Sequence, residues 1–125
     1  MMRGLALAGA MLAAACATPA PIAGSRWVAA ADVPDRSQAP AIEFVNESRV
    51  AGFTGCNLMS GEWHMEAGQL RLGRLVTTKR ACIGPASETE KRVLDAIGEG
   101  GRISIEGDRL VATAPGGARF EFMRQ

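Results

Sequence analysis

The sequence predicts an α+β fold, in which an antiparallel β-meander of short strands is interrupted by one α-helix. Two patterns support this prediction. Apolar residues alternate over short runs, and turn signals rich in Gly, Asn, Asp and Pro separate the runs about every ten residues. Near residues 87–97 the apolar residues instead follow helical spacing. With 125 residues, the chain is long enough for one domain.

The strand predictions rest on side chains that alternate between two faces. Ile42 and Phe44 share one face of their run, and Met59, Trp63 and Met65 share one face of the longest run. We interpret the last three as core; a cavity for an apolar ligand is the alternative, because small curved sheets can enclose one. Strands are expected over 27–31, 41–45, 49–53, 58–66, 69–72, 75–78, 102–106, 109–113 and 118–124.

The single predicted helix carries its own start and stop signals. Ser87 and Glu90 match a capping box, with Ser87 as N-cap and Glu90 at the third helical position. Gly98 or Gly100 is expected to end the helix. Its apolar stripe, which must pack on the sheet, consists of Val93, Leu94 and Ile97.

The N-terminus reads as a secretory leader. Arg3 gives a short positive region, and Gly4 to Ala15 is an uninterrupted run of 12 small or apolar residues. A bilayer-spanning helix needs about 20 apolar residues. Residues 1–15 are therefore predicted to be a signal peptide.

Cys16 is predicted to be lipidated, because the run 12–16 resembles a bacterial lipoprotein box, in which small residues precede the modified cysteine. Cleavage by ordinary signal peptidase after Ala15 or Ala17, and an uncleaved buried helix, are alternatives. Residues 16–25 contain Pro, Gly, Ser and Thr and are expected to form a flexible tether. The folded domain would then be 26–125, on an outer-membrane lipoprotein facing the periplasm or, alternatively, on a soluble periplasmic protein.

The three cysteines are Cys16, Cys56 and Cys82. Lipidation would take Cys16, so we expect Cys56 and Cys82 to form a disulfide in an oxidising compartment. A redox-active pair is less favoured, because such pairs are usually Cys-x-x-Cys beside a helix N-terminus. A metal site is weaker still, because two thiols and one distant His do not supply four ligands.

Several landmarks together resemble the META domain family, as found in HslJ-type heat-shock lipoproteins. They are Trp27, 42–44, 49–57 with its Gly-Cys-Asn, 60–63, the Thr-Lys-x-x-Cys at 78–82, Glu90 with Leu94, and 109–112. The resemblance implies a strongly curved, barrel-like antiparallel sheet packed around one helix. It also implies an envelope location, links to stress or antibiotic tolerance and to secretion, and no established enzymatic activity.

Charge and residue content bear on function. The formal charge is +1, and removing a leader that carries Arg3 brings it to zero, so nothing favours nucleic acid as a partner. His64 lies four residues from Ser60 on one strand, about 13 Å away, which is too far for a catalytic pair. We interpret Lys79 and Arg80 as a solvated edge or, alternatively, a contact for lipid phosphate or a partner.

The sequence therefore predicts no catalytic, cofactor-binding or metal-binding residues. It predicts a non-enzymatic envelope lipoprotein that acts by interaction in envelope stress or antibiotic tolerance. Its expected partners are the membrane, through a lipid anchor at Cys16, and an unknown envelope protein or lipid. The alternative is a carrier or pilot-type protein that binds a lipid or an apolar segment within the curved sheet.

Overall fold

The structure is a computed structural model that describes residues 9–10, 21–31 and 33–125. Within these ranges the chain forms nine strands, a short 3₁₀ helix and one α-helix. The strands are β1 Arg26–Ala29, β2 Ala41–Phe44, β3 Arg49–Phe53, β4 Leu58–Glu66, β5 Gln69–Leu72, β6 Val76–Thr77, β7 Arg102–Glu106, β8 Arg109–Thr113 and β9 Arg119–Arg124. The 3₁₀ helix is Arg36–Gln38, and α1 is Pro85–Ile97.

The strands close into a barrel. Hydrogen-bonded neighbours follow the order β3-β2-β1-β9-β8-β7-β5-β4, and β4 pairs back onto β3, so eight antiparallel strands form a closed ring. The short β6 lies beyond β5 on the same side of β4, where Val76 pairs with Ser60. The predicted α+β class, a strongly curved antiparallel sheet with one helix, is confirmed.

The strand registers define two ends of the barrel. At the disulfide pole lie residues 30–31 and 33–40, the turn Thr54–Asn57, the segment 78–84 with the start of α1, and the turn 114–118. At the N-terminal pole lie residues 21–25 and the turns 46–48, 67–68 and 107–108.

One apolar core fills the barrel and extends onto the helix. Trp27, Phe44 and Phe122 are fully buried on the strands. From α1, Val93, Ala96 and Ile97 join the same cluster, and the half-buried Leu94 packs against it. Burying a large apolar side chain contributes about 1.5–3 kcal/mol, so this core is the main stabilising feature of the domain. The predicted helical stripe is confirmed, with Ala96 as an addition.

The two faces of β4 agree with prediction except at one residue. Met59 and Trp63 are buried, whereas Leu58 and His64 are exposed. Met65, predicted to be core, is instead 52% exposed. The reason is that β3 accompanies β4 only as far as Glu62, so Met65 extends past the end of β3 into solvent. Alternation alone could not show where the neighbouring strand stops.

The helix begins earlier than the capping box predicted. Its first residue is Pro85, and its N-cap is Gly84, which makes no side-chain capping hydrogen bond. Proline is favoured at the first helical position because its missing N–H would have no partner there. Ser87 therefore lies inside the first turn, and the capping-box prediction is wrong. The predicted end is confirmed, since Gly98 is the C-cap.

The predicted tether is too long at its C-terminal end. The Gly24 N–H donates to the Phe44 carbonyl at 2.6 Å, and the Trp27 indole N–H donates to the Ser25 hydroxyl at 2.8 Å. Ile22 and Ala23 pack against the core. Residues 22–25 therefore belong to the fold, because they cover apolar surface and supply hydrogen bonds at the N-terminal pole. Cys16 and the predicted cleavage sites lie outside the described residues.

Candidate functional site at the disulfide pole

The turn Thr54–Asn57 connects β3 to β4 and requires glycine at one position. The Thr54 N–H donates to the Asn57 carbonyl at 2.9 Å and closes the turn. Gly55 has a φ of +100°, and a Cβ there would lie 2.9 Å from the Thr89 Cγ2 atom. Both the backbone conformation and the approach of α1 therefore exclude larger residues at this position.

A disulfide joins Cys56 of this turn to Cys82 of the segment 78–84, as predicted, with a Cα–Cα distance of 6.1 Å. Cys56 is 4% exposed, and Cys82 is half-buried. The bond covalently fixes the chain just before α1 to the chain just before β4. The two cysteines therefore connect two separate segments at this end of the barrel. A redox-active Cys-x-x-Cys pair would instead place both cysteines close in sequence beside a helix N-terminus.

The side chain of Asn57 is the centre of a polar network beside the disulfide. Its Oδ1 atom accepts hydrogen bonds from the Thr78 hydroxyl at 2.8 Å and the Arg80 N–H at 2.7 Å. Its Nδ2 atom donates to the Arg80 carbonyl at 3.2 Å and to Glu90 Oε1 at 2.8 Å. A primary amide has two donor hydrogens and two acceptor lone pairs, so Asn57 is fully satisfied although only 5% exposed.

Glu90 brings a carboxylate from α1 into this network. The Thr54 hydroxyl, which is fully buried, lies 2.8 Å from Glu90 Oε1 and 3.1 Å from the Asn57 carbonyl. A hydroxyl has one proton, and the charged acceptor at the shorter distance is the stronger partner. We call Thr54, Asn57, Thr78, Glu90 and the Arg80 backbone the Asn57 cluster.

Sequence reasoning missed this role of Glu90 and assigned it to the helix N-terminus. Thr54 and Asn57 are polar and buried, so each side chain needs a hydrogen-bond partner. However, Glu90 lies 33 residues from Asn57 and 36 from Thr54, so only the packed structure identifies it. The cluster and its neighbouring disulfide offer little free reactivity. The Asn57 amide uses all of its hydrogen-bonding capacity, the Glu90 carboxylate accepts two hydrogen bonds, and both cysteines are in the disulfide. The clear effect of the cluster is to join α1 to the barrel.

The predicted solvent-facing residues of β4 stay apart. Ser60 faces Ala51 and Val76 across the sheet, whereas His64 lies opposite Arg71. The His64 side chain is exposed, and its Nε2 atom lies 3.6 Å from Glu66 Oε2. Ser60 and His64 are thus not brought together.

A small apolar cavity opens at the same pole, between the loop 33–38, the Thr54–Asn57 turn and the start of α1. Its volume is about 160 Å³, and its walls include Val33, Pro34, Pro85 and Ala86. Asp35 lies at its rim, where the Ser37 hydroxyl and then the Ser37 N–H donate to the carboxylate and lower its pKa.

A weaker contact between strands occurs near the N-terminal pole. β5 and β7 share a single paired position, Leu70 with Ile103, and the Gln69 amide donates to the Ile103 carbonyl at 2.6 Å. We call this the β5–β7 seam. A surface cavity of about 270 Å³ lies over it, with Ile22 and Met65 among its walls.

The barrel interior is filled by side chains. The crevice bounded by Met59, Leu72, Leu75 and Ile97 has no room for a water molecule. Met59 and Trp63 both belong to the buried apolar cluster, which favours the core interpretation of these two residues over a ligand cavity.

Two structural features are absent from the described residues. No three His, Cys, Asp or Glu side chains among them converge as metal ligands would. No helix in the described part of the chain is both long enough and apolar enough to cross a membrane.

The fold and the pole together define a class: a small antiparallel β-barrel closed by one helix and fixed at one end by a disulfide. The META domain profile matches residues 20–125, so the chain belongs to the META domain family. The match starts before Arg26, in agreement with the docked residues 22–25. Membership is consistent with an envelope-related protein.

Two solved structures share this fold. One, described as the NMR structure of the protein from Burkholderia xenovorans, has a TM-score of 0.64 and 21% identity and covers 83% of each chain. Another NMR structure has a TM-score of 0.66 and 20% identity, over 82% of this chain and 90% of the other. At such identities the likeness concerns the fold alone. A comparison with curated proteins gave no match.

Proposed function

We propose that this protein is a non-enzymatic envelope lipoprotein, anchored through Cys16, that acts by interaction in envelope stress or antibiotic tolerance. The observation that carries the proposal is that the buried polar groups of the disulfide pole are committed to the fold. Asn57 and Glu90 use their side chains to join α1 to the barrel, and Cys56 is oxidised. What remains for function is an exposed surface.

The N-terminal pole supports the anchoring part of the proposal. Residues 22–25 are docked there, so Cys16 is separated from the fold by a short stretch. Six residues from Cys16 to Ile22 reach at most about 20 Å when fully extended. A lipid on Cys16 would therefore hold the N-terminal pole close to the membrane.

The test is complementation of a deletion strain under envelope stress or antibiotic, with protein levels checked by blot. Cys16→Ala should release the protein from the membrane fraction and fail to restore survival. Thr18→Ala is the matched control, because it lies in the same segment and leaves the lipoprotein box intact. His64→Ala and Ser60→Ala should restore survival fully.

Two results would contradict the proposal. One is an unmodified mature N-terminus at Cys16 or Thr18 by mass spectrometry, which removes the anchor. The other is loss of survival with His64→Ala at normal protein abundance, which would give that strand face a chemical or ligand-binding role.

The second candidate is the carrier, and the β5–β7 seam is the observation that favours it. With one paired position, the seam is the weakest strand pairing of the barrel ring, and opening it would expose the core to an apolar ligand. Native mass spectrometry of the full chain should then find bound lipid. A Leu70→Cys/Ile103→Cys variant tests this directly, because paired positions lie within disulfide reach and the cross-link would prevent lipid uptake. Lipid-free protein in both forms excludes the carrier.

A further inference from the structure

A larger cavity at the disulfide pole lies where β1 ends and β9 begins. Its volume is about 360 Å³, and residues of the loop after β1, of β9 and of α1 form its walls. The lining residues are Ala30, Ala31, Arg92, Arg119, Phe120 and Glu121. Small-molecule sites typically measure about 300–1,000 Å³ and combine apolar walls with a few polar groups. This cavity therefore has the size and the composition of a small-molecule site.

Arg92 of α1 presents a guanidinium group to this cavity. Its Cζ atom lies 5.4 Å from the centre of the Phe120 ring, within the range of a cation–π contact. Phe120 is only 3% exposed, so the guanidinium rests on a fixed aromatic surface. Arg92 makes no ion pair with another described residue. Its N–H donors are therefore both restrained in position and available to a ligand.

Arg119 adds a second guanidinium group, which is only partly in use. Its Nη2 atom donates to Glu121 Oε1 at 3.0 Å, so this contact uses a single nitrogen. The same carboxylate is approached by Arg109, whose Nε atom lies 3.9 Å from Oε2. Glu121 is thus shared between two cations. Because a guanidinium carries five N–H donors, Arg119 retains donors for a further acceptor.

A third arginine lies against the wall of the cavity. The Arg36 Nη1 atom donates to the carbonyls of Ala29 and Ala31, at 3.1 and 3.2 Å. Ala31 itself lines the cavity, so these hydrogen bonds hold a positive charge beside it.

The acidic residues of α1 do not neutralise Arg92. Glu90 belongs to the Asn57 cluster, and Asp95 forms an ion pair at 2.6 Å with a lysine of the same helix. Glu88 lies four positions before Arg92 and forms no ion pair with it. Within the described residues, three guanidinium groups therefore surround the cavity against one lining carboxylate. This balance of charge favours an anionic ligand.

The walls indicate what else the ligand carries. Guanidinium groups match the geometry of carboxylate and phosphate oxygens, which they bind through paired N–H donors. The methyl groups of Ala30 and Ala31 and the Phe120 ring are apolar, and an inorganic ion would leave them uncovered. The complementary ligand is therefore an oxyanion attached to an apolar group.

We propose that this cavity binds a small organic anion. Its carboxylate or phosphate group bonds to Arg92 and Arg119, and its apolar part covers Phe120. The site goes beyond the proposed function and does not require the lipid anchor. An anionic lipid headgroup offers the same chemistry, but residues 22–25 dock at the opposite pole. If Cys16 is anchored as proposed, the membrane lies at that pole, so a soluble anion is the expected ligand.

The experiment is calorimetric titration of the full chain in a non-ionic detergent. The probes are phenyl phosphate, benzoate and the neutral benzyl alcohol. At least one of the two anions should bind at least tenfold more tightly than benzyl alcohol, and the tighter anion identifies the oxyanion. Inorganic phosphate and acetate lack the ring, so each should bind more weakly than its ring-bearing counterpart.

Two substitutions test the guanidinium groups directly. Arg92→Gln and Arg119→Gln should each weaken binding of the preferred anion at least tenfold. Arg49→Gln is the matched control, because Arg49 is an exposed arginine at the N-terminal pole that makes no ion pair with another described residue. It should bind the anion as the unmodified protein does. Circular dichroism checks that each variant keeps the fold.

Several results overturn the proposal. One is equal affinity for benzyl alcohol and both anions, and another is unchanged binding in Arg92→Gln. A loss in Arg49→Gln as large as in Arg92→Gln would show non-specific attraction to positive charge. Binding to phosphatidylglycerol vesicles that requires Arg92, without binding of the soluble anions, would identify a membrane site instead. Because survival is not measured here, failure of this site and failure of the proposed function remain distinguishable.

Discussion

The two poles of this barrel are held together by different interactions. At the disulfide pole, a covalent bond and the Asn57 cluster join the turn Thr54–Asn57 to the segment 78–84 and to α1. At the N-terminal pole, aromatic side chains hold the strand ends together. Trp63 packs edge-on against Phe44 with ring centroids 5.4 Å apart, and its indole N–H donates to the Asn46 carbonyl at 2.8 Å.

The difference shows how a small domain can stabilise strand ends that differ in burial. At the disulfide pole the polar groups are buried, so each needs a partner, and loss of one leaves another unsatisfied. At the N-terminal pole the turns are exposed, so water can replace lost polar contacts, and the apolar core carries the stability. The first pole should therefore be sensitive to redox conditions and the second to core truncation.

The largest effect is expected from Trp63→Ala. Loss of this buried aromatic side chain should reduce the free energy of unfolding by about 3–5 kcal/mol. His64→Ala on the opposite face of the same strand is the control, and it should stay within about 0.5 kcal/mol. Chemical denaturation measures both. A larger loss of unfolding free energy for His64→Ala than for Trp63→Ala would mean that the buried and exposed faces of β4 are assigned the wrong way round.

Reduction of the disulfide should follow closely. Cys56 and Cys82 are 26 positions apart, and closing such a loop is worth about 3–4 kcal/mol in the chain-entropy model. We expect a melting temperature lower by many degrees, with the fold retained at low temperature. Thermal unfolding with and without reductant is the measurement. Labelling of both thiols in oxidised, folded protein would show that the disulfide is absent.

Substituting one asparagine at each pole gives the most direct comparison of their contributions to stability. Asn57→Ala would leave the Arg80 N–H and carbonyl without their side-chain partner and the Glu90 carboxylate with Thr54 as its one remaining donor, and we expect a loss of about 2–3 kcal/mol. Asn46→Ala removes an acceptor for the Ser48 and Arg49 N–H groups in an exposed turn. It should cost at most about 1 kcal/mol, because water replaces the acceptor. If the two substitutions reduce the free energy of unfolding equally, the two poles do not differ in how they are stabilised.

The smallest effect is expected at the β5–β7 seam. Gln69→Ala removes the side-chain hydrogen bond to Ile103, worth about 1 kcal/mol. Native-state hydrogen exchange should also show the amides of this seam opening before those of Thr54 and Asn57. If the seam exchanges as slowly as the disulfide pole, the carrier candidate loses its structural support.

Local patterns in the sequence predicted the strands well. The limits of β3, β4, β5, β7 and β8 agree with the predicted ranges, because alternation and turn residues act over a few neighbours. The cysteine pair of the candidate site was also predictable from residue counting. Glu90 was not, since a capping box and a distant polar cluster require the same residue type.

The amino-acid sequence by itself determined the α+β class, the strand faces, the disulfide partners and the family resemblance, because each is encoded in spacing or composition. Only the tertiary structure decided how the strands close into a ring, where the helix starts and which residues join the fold at its N-terminal end. Met65 and Glu90 show the physical reason. Whether a side chain is core or surface, and which partner it bonds, depends on chain segments distant in sequence that packing brings alongside.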